Sequence, residues 1–322
     1  MTTKIISIGE SEPTLMLTSL TNWSAIQISG DDRKSYLQGQ VTCDVVTLSK
    51  YESTLGAHCD AKGKVWNAFR LFHTAQGYSM IQPKSAADIA LKEIRKYAIF
   101  SKVSFELSND SLIGCMGHGA SAFIQTLLDE PEKELFNEAQ VMPIKGGYAV
   151  KISNEQWLLQ LSSSDAESLL SENEDNQVDP SVWLKHDIEA GRPILEADQQ
   201  NIHIPQALNL NLLGGISFSK GCYTGQETVA RAKYRGTNKR NLFTLKGFCS
   251  STIEDNELER QVGDNWRSAG HCLSYYQDNQ GNVIASAVLP NNLDITTAFR
   301  LKSQPEHQWN ILPHPYSLEE KE

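Results

Sequence analysis

The sequence predicts a multidomain α+β protein that ends in a small β-barrel, and three observations carry that expectation. At 322 residues the chain exceeds one ordinary compact core, because domains usually hold about 100–150 residues. Strand-like and helix-like segments alternate as far as about Gly236. Beyond it, short β-prone runs (Leu242 to Phe248, His271 to Tyr276, Val283 to Leu289) are separated by turns such as Asp278 to Gly281, the spacing of a barrel or sandwich.

Taken in order, Ala25 to Ile28 reads as a strand, Ser29-Gly30-Asp31 as turn and cap, and Gly39 as the stop of the helix that follows. A second unit starts at Leu55, where Asp60 to Gly63 is the turn of a hairpin whose second strand runs Val65 to Phe72; Gly77 marks another turn. Helical spacing from Ser85 to about Ala98 groups Ile89, Ile94 and Tyr97, and a strand follows near Val103 to Phe105. The middle region carries strands at Leu112 to Met116, Tyr148 to Ile152 and Trp157 to Leu161. Its acidic stretches, Asp129 to Glu134 and Ser171 to Asp179, read as solvated loops. A helix then starts after Asp179 and Pro180 and ends at Gly191, with Pro193 beyond.

The net charge of -10 argues against a whole-molecule polyanion binder, so any nucleic-acid contact must be local. No apolar run reaches the roughly 18 residues of a membrane span, and Met1 to Glu10 lacks the features of a secretion signal, so the expected location is the cytoplasm. The six cysteines stand singly, without CxxC pairs or zinc-ligand spacing; no metal site is expected.

The segment richest in chemistry is Ser219 to Glu227. Thr224 and Glu227 have capping-box spacing, which predicts a helix starting just after Thr224. Cys222 would then lie outside the positive end of that helix, with Lys220 and Arg231 close enough to favour a thiolate, between two glycines, Gly221 and Gly225. The alternative is a buried structural cysteine beside a tight turn. Arg231, Lys233, Arg235, Lys239 and Arg240, interleaved with Tyr234, form a basic stripe able to hold phosphates, an anionic tail or RNA backbone, or else simply a solvated helix face.

KGCYTGQE at Lys220 to Glu227 resembles the signature of the YgfZ-type folate-binding proteins, relatives of the glycine-cleavage aminomethyltransferase. The resemblance extends through Asn22-Trp23, Gly39 to Thr42, His58 to Lys64, Tyr97 to Val103, Trp183-Leu184, Ile188 to Gly191, Pro205-Gln206, Gly214 to Ile216 and Pro315 to Glu320. It implies an aminomethyltransferase-like architecture of three domains around a central opening. Residues 1–48 with 108–235 would form a discontinuous folate-binding domain, 49–107 a ferredoxin-like domain and 236–322 the barrel. It also implies a tetrahydrofolate-type cofactor, held by Trp23, Trp183, Glu189 and Tyr223, with Cys222 as reactive thiol supported by Lys220 and Arg231. An indole stacks well on a flat pterin, and a carboxylate can accept from a pterin's amino group and ring N–H; for Glu189 an ion pair with Arg192 competes. Where the aminomethyltransferase carries adjacent acidic residues, this chain has Asn67 and Ala68, so a proton-moving side chain is missing and the parent reaction is not expected.

The resulting expectation is a folate-binding accessory protein for tRNA modification (thiolation) and iron–sulfur enzyme maintenance, with an indirect influence on replication initiation. Two alternatives stay open: a one-carbon transferase using Cys222, and direct tRNA contact through the stripe at 231–240.

Overall fold

The computed structural model describes residues 4–128 and 140–318; the acidic segment Asp129 to Glu134 and the last residues of the Pro315 to Glu320 motif lie outside them. Three all-antiparallel sheets organise the chain. The first has strand order β1-β7-β10-β9-β8, from Met16–Ser19 (β1), Ser111–Met116 (β7), Val141–Ile144 (β8), Gly147–Ser153 (β9) and Gln156–Leu161 (β10). The second has order β3-β4-β5-β2-β6, from Trp23–Ser29 (β2), Ser53–Cys59 (β3), Val65–Thr74 (β4), Gly77–Pro83 (β5) and Ser104–Leu107 (β6). A closed barrel, β11-β14-β13-β12-β15-β16, takes the C-terminal part: Arg240–Phe248 (β11), Glu257–Val262 (β12), Asn265–Gln277 (β13), Asn282–Pro290 (β14), Phe299–Leu301 (β15) and Gln304–Ile311 (β16). Closure leaves no barrel edge strand to be covered.

The first sheet draws chain from both sides of the second, but the boundary differs from the sequence expectation. Trp23–Ser29 pairs with β5 on one side and β6 on the other, so it is a central strand of the second sheet rather than part of the residues 1–48 piece. The helix Arg33–Gln38 (α1) goes with it, burying Tyr36 and Leu37 against Ile26, Leu71 and Met80. Short-range signals give a strand its existence, not its partners, and these partners lie roughly fifty and eighty residues away.

Helices cover the outer faces. Lys84–Arg95 (α2) buries Ala86, Ala87, Ala90 and Ile94 on the second sheet. Ile89 and Tyr97, expected beside Ile94, are instead exposed, because three small alanines make the close-packing stripe. Ala120–Thr126 (α3) and Ser163–Ser171 (α4) cover the first sheet around Trp157.

Between the two sheets lies a shared core. Met16, Leu112 and Leu158 of the first meet Ala25, Phe72 and Ile81 of the second, with Val182 and Trp183 inserted from Ser181–Glu189 (α5). Pro180, not Asp179, stands at the N-cap of α5, which has no side-chain cap; Asp179 sits one residue earlier, its Oδ1 accepting from the Ser181 N–H at 2.9 Å in a local turn. Trp183 approaches β7 closely because residue 114 is glycine: a Cβ there would meet the indole at 2.5 Å and Thr18 Cγ2 at 3.1 Å. Gly114→Ala is therefore expected to lower stability by about 1–3 kcal/mol, the usual cost of overpacking a core. The urea midpoint should fall with an unchanged slope; an unaltered midpoint would mean that the indole has free room to move.

Candidate functional site

Trp23 and Trp183 line one chamber. Trp23 opens β2 opposite Pro83, and β4 turns Ala68 and Arg70 to the same face as Ile81 and Pro83. Across from them stand Trp183, Asp187 and Arg192, with Leu158 of the first sheet. Trp183 and Asp187 are four residues apart on α5 and so share a helical face. The Arg192 Nε donates to Asp187 Oδ1 at 2.7 Å, and its Nη2 to Gln156 Oε1, which leaves Asp187 Oδ2 with no donor among the described residues. The buried Trp183 Nε1 has no hydrogen-bond partner among the described residues. Arg70 Nη1 donates to Ser53 Oγ at 2.9 Å, and desolvation, with Arg192 nearby, lowers its pKa to about 10, so it stays charged.

The chamber itself holds about 50 Å³, little more than one or two waters, so a bicyclic ligand enters only if the walls part. Leu55, Arg70 and Ile152 also line an adjoining open cleft of about 730 Å³ that reaches Lys151 and Gln140. Arg70 thus stands at the threshold between an aromatic interior and a polar exterior. This combination suits a flat heteroaromatic ring with an anionic tail.

The KGCYTGQE segment builds a different place. Its helix is Gln226–Tyr234 (α6), capped by Gly225 at φ 83°, with no side-chain cap. The expected capping box is absent: Thr224 is drawn to the α1 exit, its N–H donating to Gly39 O at 3.1 Å, and Glu227 pairs with Arg231. Gly225 answers to a neighbour, because a Cβ would meet Asp60 O at 2.5 Å and Gly63 Cα at 2.9 Å. The Lys220 ammonium points inward, donating to Val41 O at 2.8 Å and Cys43 O at 2.6 Å, and burial pushes its pKa down to about 8. Tyr223 is buried with Ala57, Val229 and Leu242, its phenol pushed up by desolvation. Cys222 alone of the segment's reactive groups faces outward, and it is the one exposed cysteine among the six.

The family model described as the YgfZ β-barrel domain matches residues 238–304. A tRNA-modifying protein YgfZ from Vibrio atlanticus is 53% identical over 316 residues, covering 97% of this chain and 96% of its own. The tRNA-modifying protein YgfZ of Vibrio vulnificus (strain CMCP6) is 46% identical, covering 98% and 97%. The chain belongs to the YgfZ family. Among solved structures, the glycine cleavage system aminomethyltransferase T from Bartonella henselae superposes with a TM-score of 0.71 at 14% identity, covering 95% of this chain and 86% of that one. This YgfZ-family chain therefore has the aminomethyltransferase-like fold.

Within that fold the expected site residues divide. Trp23 and Trp183 share the chamber, whereas Cys222, Tyr223 and Lys220 do not line it. Ala68 and Leu210 belong both to the chamber wall and to the cluster holding Tyr223, so packed side chains join the two places. Arg231 is engaged by Glu227 on an exposed face and Lys220 by backbone carbonyls, so neither ammonium nor guanidinium is committed to the thiol. Glu189 lies outside the chamber, 41% exposed and 3.2 Å from Lys185 Nζ; Arg192 pairs with Asp187 instead. Two residues along a helix is a rotation of about 200°, which puts Glu189 on the face opposite Asp187. Asp187, Arg192 and Arg70 were missed, although the i, i+4 spacing from Trp183 would have found the first.

Lys185 also holds Glu12 at 2.7 Å, and the His186 imidazole at 3.2 Å is the chief cause that lowers Glu12 to about 2. A carboxylate lowered from 4.5 contributes stability that is full above about pH 4.5 and is lost as pH falls towards 2. Glu12→Gln should cost on the order of 2 kcal/mol at neutral pH, and the difference in melting temperature from the parent should vanish in that acid window. A difference that does not change with pH would rule out the ionic origin. Independently, Ellman's reagent should titrate one thiol in the folded protein and six after unfolding, with the folded Cys222→Ala variant giving none. Burial holds Cys43 and Cys115 up at about 12, which reinforces their protection.

Proposed function

We propose that this chain is a folate-binding accessory protein of tRNA modification, with the pteridine between Trp23 and Trp183 and the glutamyl tail in the adjoining cleft. The observation that carries the reading is the chamber itself, lined by two indoles, by Asp187 with an open carboxylate oxygen and by Trp183, whose Nε1 has no partner among the described residues. Ring faces would hold the pteridine, Asp187 Oδ2 would accept from its N–H groups, and Arg70 with Lys151 would attract the tail carboxylates. When bound, the folate would supply one-carbon chemistry. The chain's own residues bind and orient it and exclude water.

The tRNA role is supported by relatives named for it that match end to end. Work in the cytoplasm on behalf of iron–sulfur enzymes of tRNA thiolation, and through them on replication initiation, follows from the family resemblance. No helix among the described residues is long and apolar enough to cross a membrane. Binding without the parent reaction agrees with the wall: Ala68 faces the chamber, while Asn67 lies on the opposite face of β4, donating to Gln82 Oε1. Asp187, the one carboxylate of the lining among the described residues, is tied to Arg192 as an acceptor rather than poised to move protons.

Titration with a reduced folate should quench tryptophan fluorescence saturably. Asp187→Asn should weaken binding by about tenfold, the scale of one charge-assisted hydrogen bond. Lys151→Ala should weaken the folate but not a pterin that lacks the glutamyl tail. The reading fails if no saturable signal or heat develops at high micromolar folate, or if both variants bind like the parent.

A further inference from the structure

We propose that a second, open groove, between the β3–β4 turn, residues 198–207 and the barrel, binds a single-stranded stretch of RNA with its phosphates against Lys64, Lys239 and Arg240. The inference rests on the tRNA role proposed above and concerns a site separate from the folate chamber. The groove holds about 710 Å³, within the roughly 300–1,000 Å³ of clefts that seat drug-sized ligands.

Charge is the first argument. Three cations and one carboxylate, Asp198, line the groove, a balance of +2 in a chain whose net charge is -10. None of the three cations pairs with an acid among the described residues. Lys64 Nζ donates to Ile202 O at 2.7 Å, Lys239 Nζ to Gly236 O at 3.2 Å, and Arg240 Nη1 to Val288 O at 3.1 Å. Carbonyl oxygens orient these groups without neutralising them, so their charge remains available to a ligand. His203, in the same lining, is lowered to about 4 chiefly by burial, with Lys64 and Arg240 adding to it.

The basic stripe read from the sequence is thereby divided. On α6, Arg231 is matched by Glu227, and Lys233 lies over the Phe218 ring at 4.0 Å. Lys239 and Arg240, past the helix, are the members that enter the groove.

Shape is the second argument. Ile202, Ala207, Leu273 and Val288 give the groove an apolar floor, while Asn238 and His271 stand among its polar groups. Phosphates on the cations would let ribose or a base lie on that floor and present its edge to Asn238 and His271. Only an unpaired strand can splay its bases in this way.

The test uses the full chain and a labelled oligouridylate in fluorescence anisotropy at several salt concentrations. The parent should bind saturably at low salt. Lys239→Gln/Arg240→Gln should weaken binding at least tenfold and make the log–log salt slope shallower by about one for each phosphate no longer neutralised. Lys64→Gln should act in the same direction, while Lys92→Gln, which removes an exposed cation on α2, should change neither. The proposal is overturned by the absence of saturable binding at low salt, by equal binding of the parent and the groove variants, or by polyglutamate binding as tightly as the RNA. Reduced-folate titration of the same variants separates the two readings: unchanged folate affinity with weakened RNA affinity places the RNA in the groove, and RNA binding by a chain that takes no folate leaves the groove standing.

Discussion

A lysine ammonium buried under its own loop holds the centre of this molecule together. Lys220 donates to the carbonyls of Val41 and Cys43, and the surrounding contacts repeat the connection. The Thr42 hydroxyl donates to Gly215 O at 2.6 Å and accepts from the Ala57 N–H at 2.8 Å, while Ser217 N–H donates to Thr42 O. A buried cation without a carboxylate is tolerable only when fixed dipoles solvate it, and two carbonyls at these distances provide that. The strap 39–43, the edge strand β3, the 215–217 segment and the KGCYTGQE loop are thereby fixed as one unit. With Lys220 and Tyr223 both drawn inward, Cys222 is left on the outer side of the loop.

This arrangement separates three chemistries that lie close together along the chain or were expected at one site. The thiol sits on a surface loop, the indoles close a chamber between two sheets, and three cations with no acidic partner among the described residues gather where the hairpin turn meets the barrel. The chamber and the groove each follow from a boundary between elements whose facing side chains do not fill the space, whereas the thiol is simply left on the outside of its loop. The wall at Ala68 and Leu210 shows how close two of these places are: one packed layer serves the chamber on one side and the Tyr223 cluster on the other.

Much of the fold was legible because its signals are local. The Asp60 to Gly63 turn works through an aspartate that accepts from the N–H groups of Lys62 and Lys64 at 2.9 and 2.8 Å, and glycine at 63 takes φ 75°. The turn at Asp278 to Gly281 is organised likewise by Asp278 Oδ1. What was not legible depends on partners distant in sequence. The spacing of Thr224 and Glu227 satisfies the capping pattern, yet Gly39 and Arg231 offered each side chain or backbone group another partner, and tertiary contact prevailed over the local option. Membership of Trp23–Ser29 in the second sheet failed to show for the same reason.

The site residues obey the same division, and α5 shows how far periodicity alone can reach. Tryptophan at 183 marks which face of the helix is buried; 187 follows on that face one turn later, and 189 does not. The acid chosen by resemblance, Glu189, is answered by Lys185 one turn earlier, so its opposition to the helix dipole is already compensated without a ligand. Among the described residues Asp187 is answered at one oxygen only, by Gln156 and by an arginine five residues on that had to fold back past the helix end to reach it. A residue's fitness for binding is therefore set less by its charge than by how much of that charge the protein has left unmatched, and this remainder is a property of the folded neighbourhood. The same criterion distinguishes Arg231, balanced on its own helix, from Arg240, held by a carbonyl and still carrying its full charge into open space.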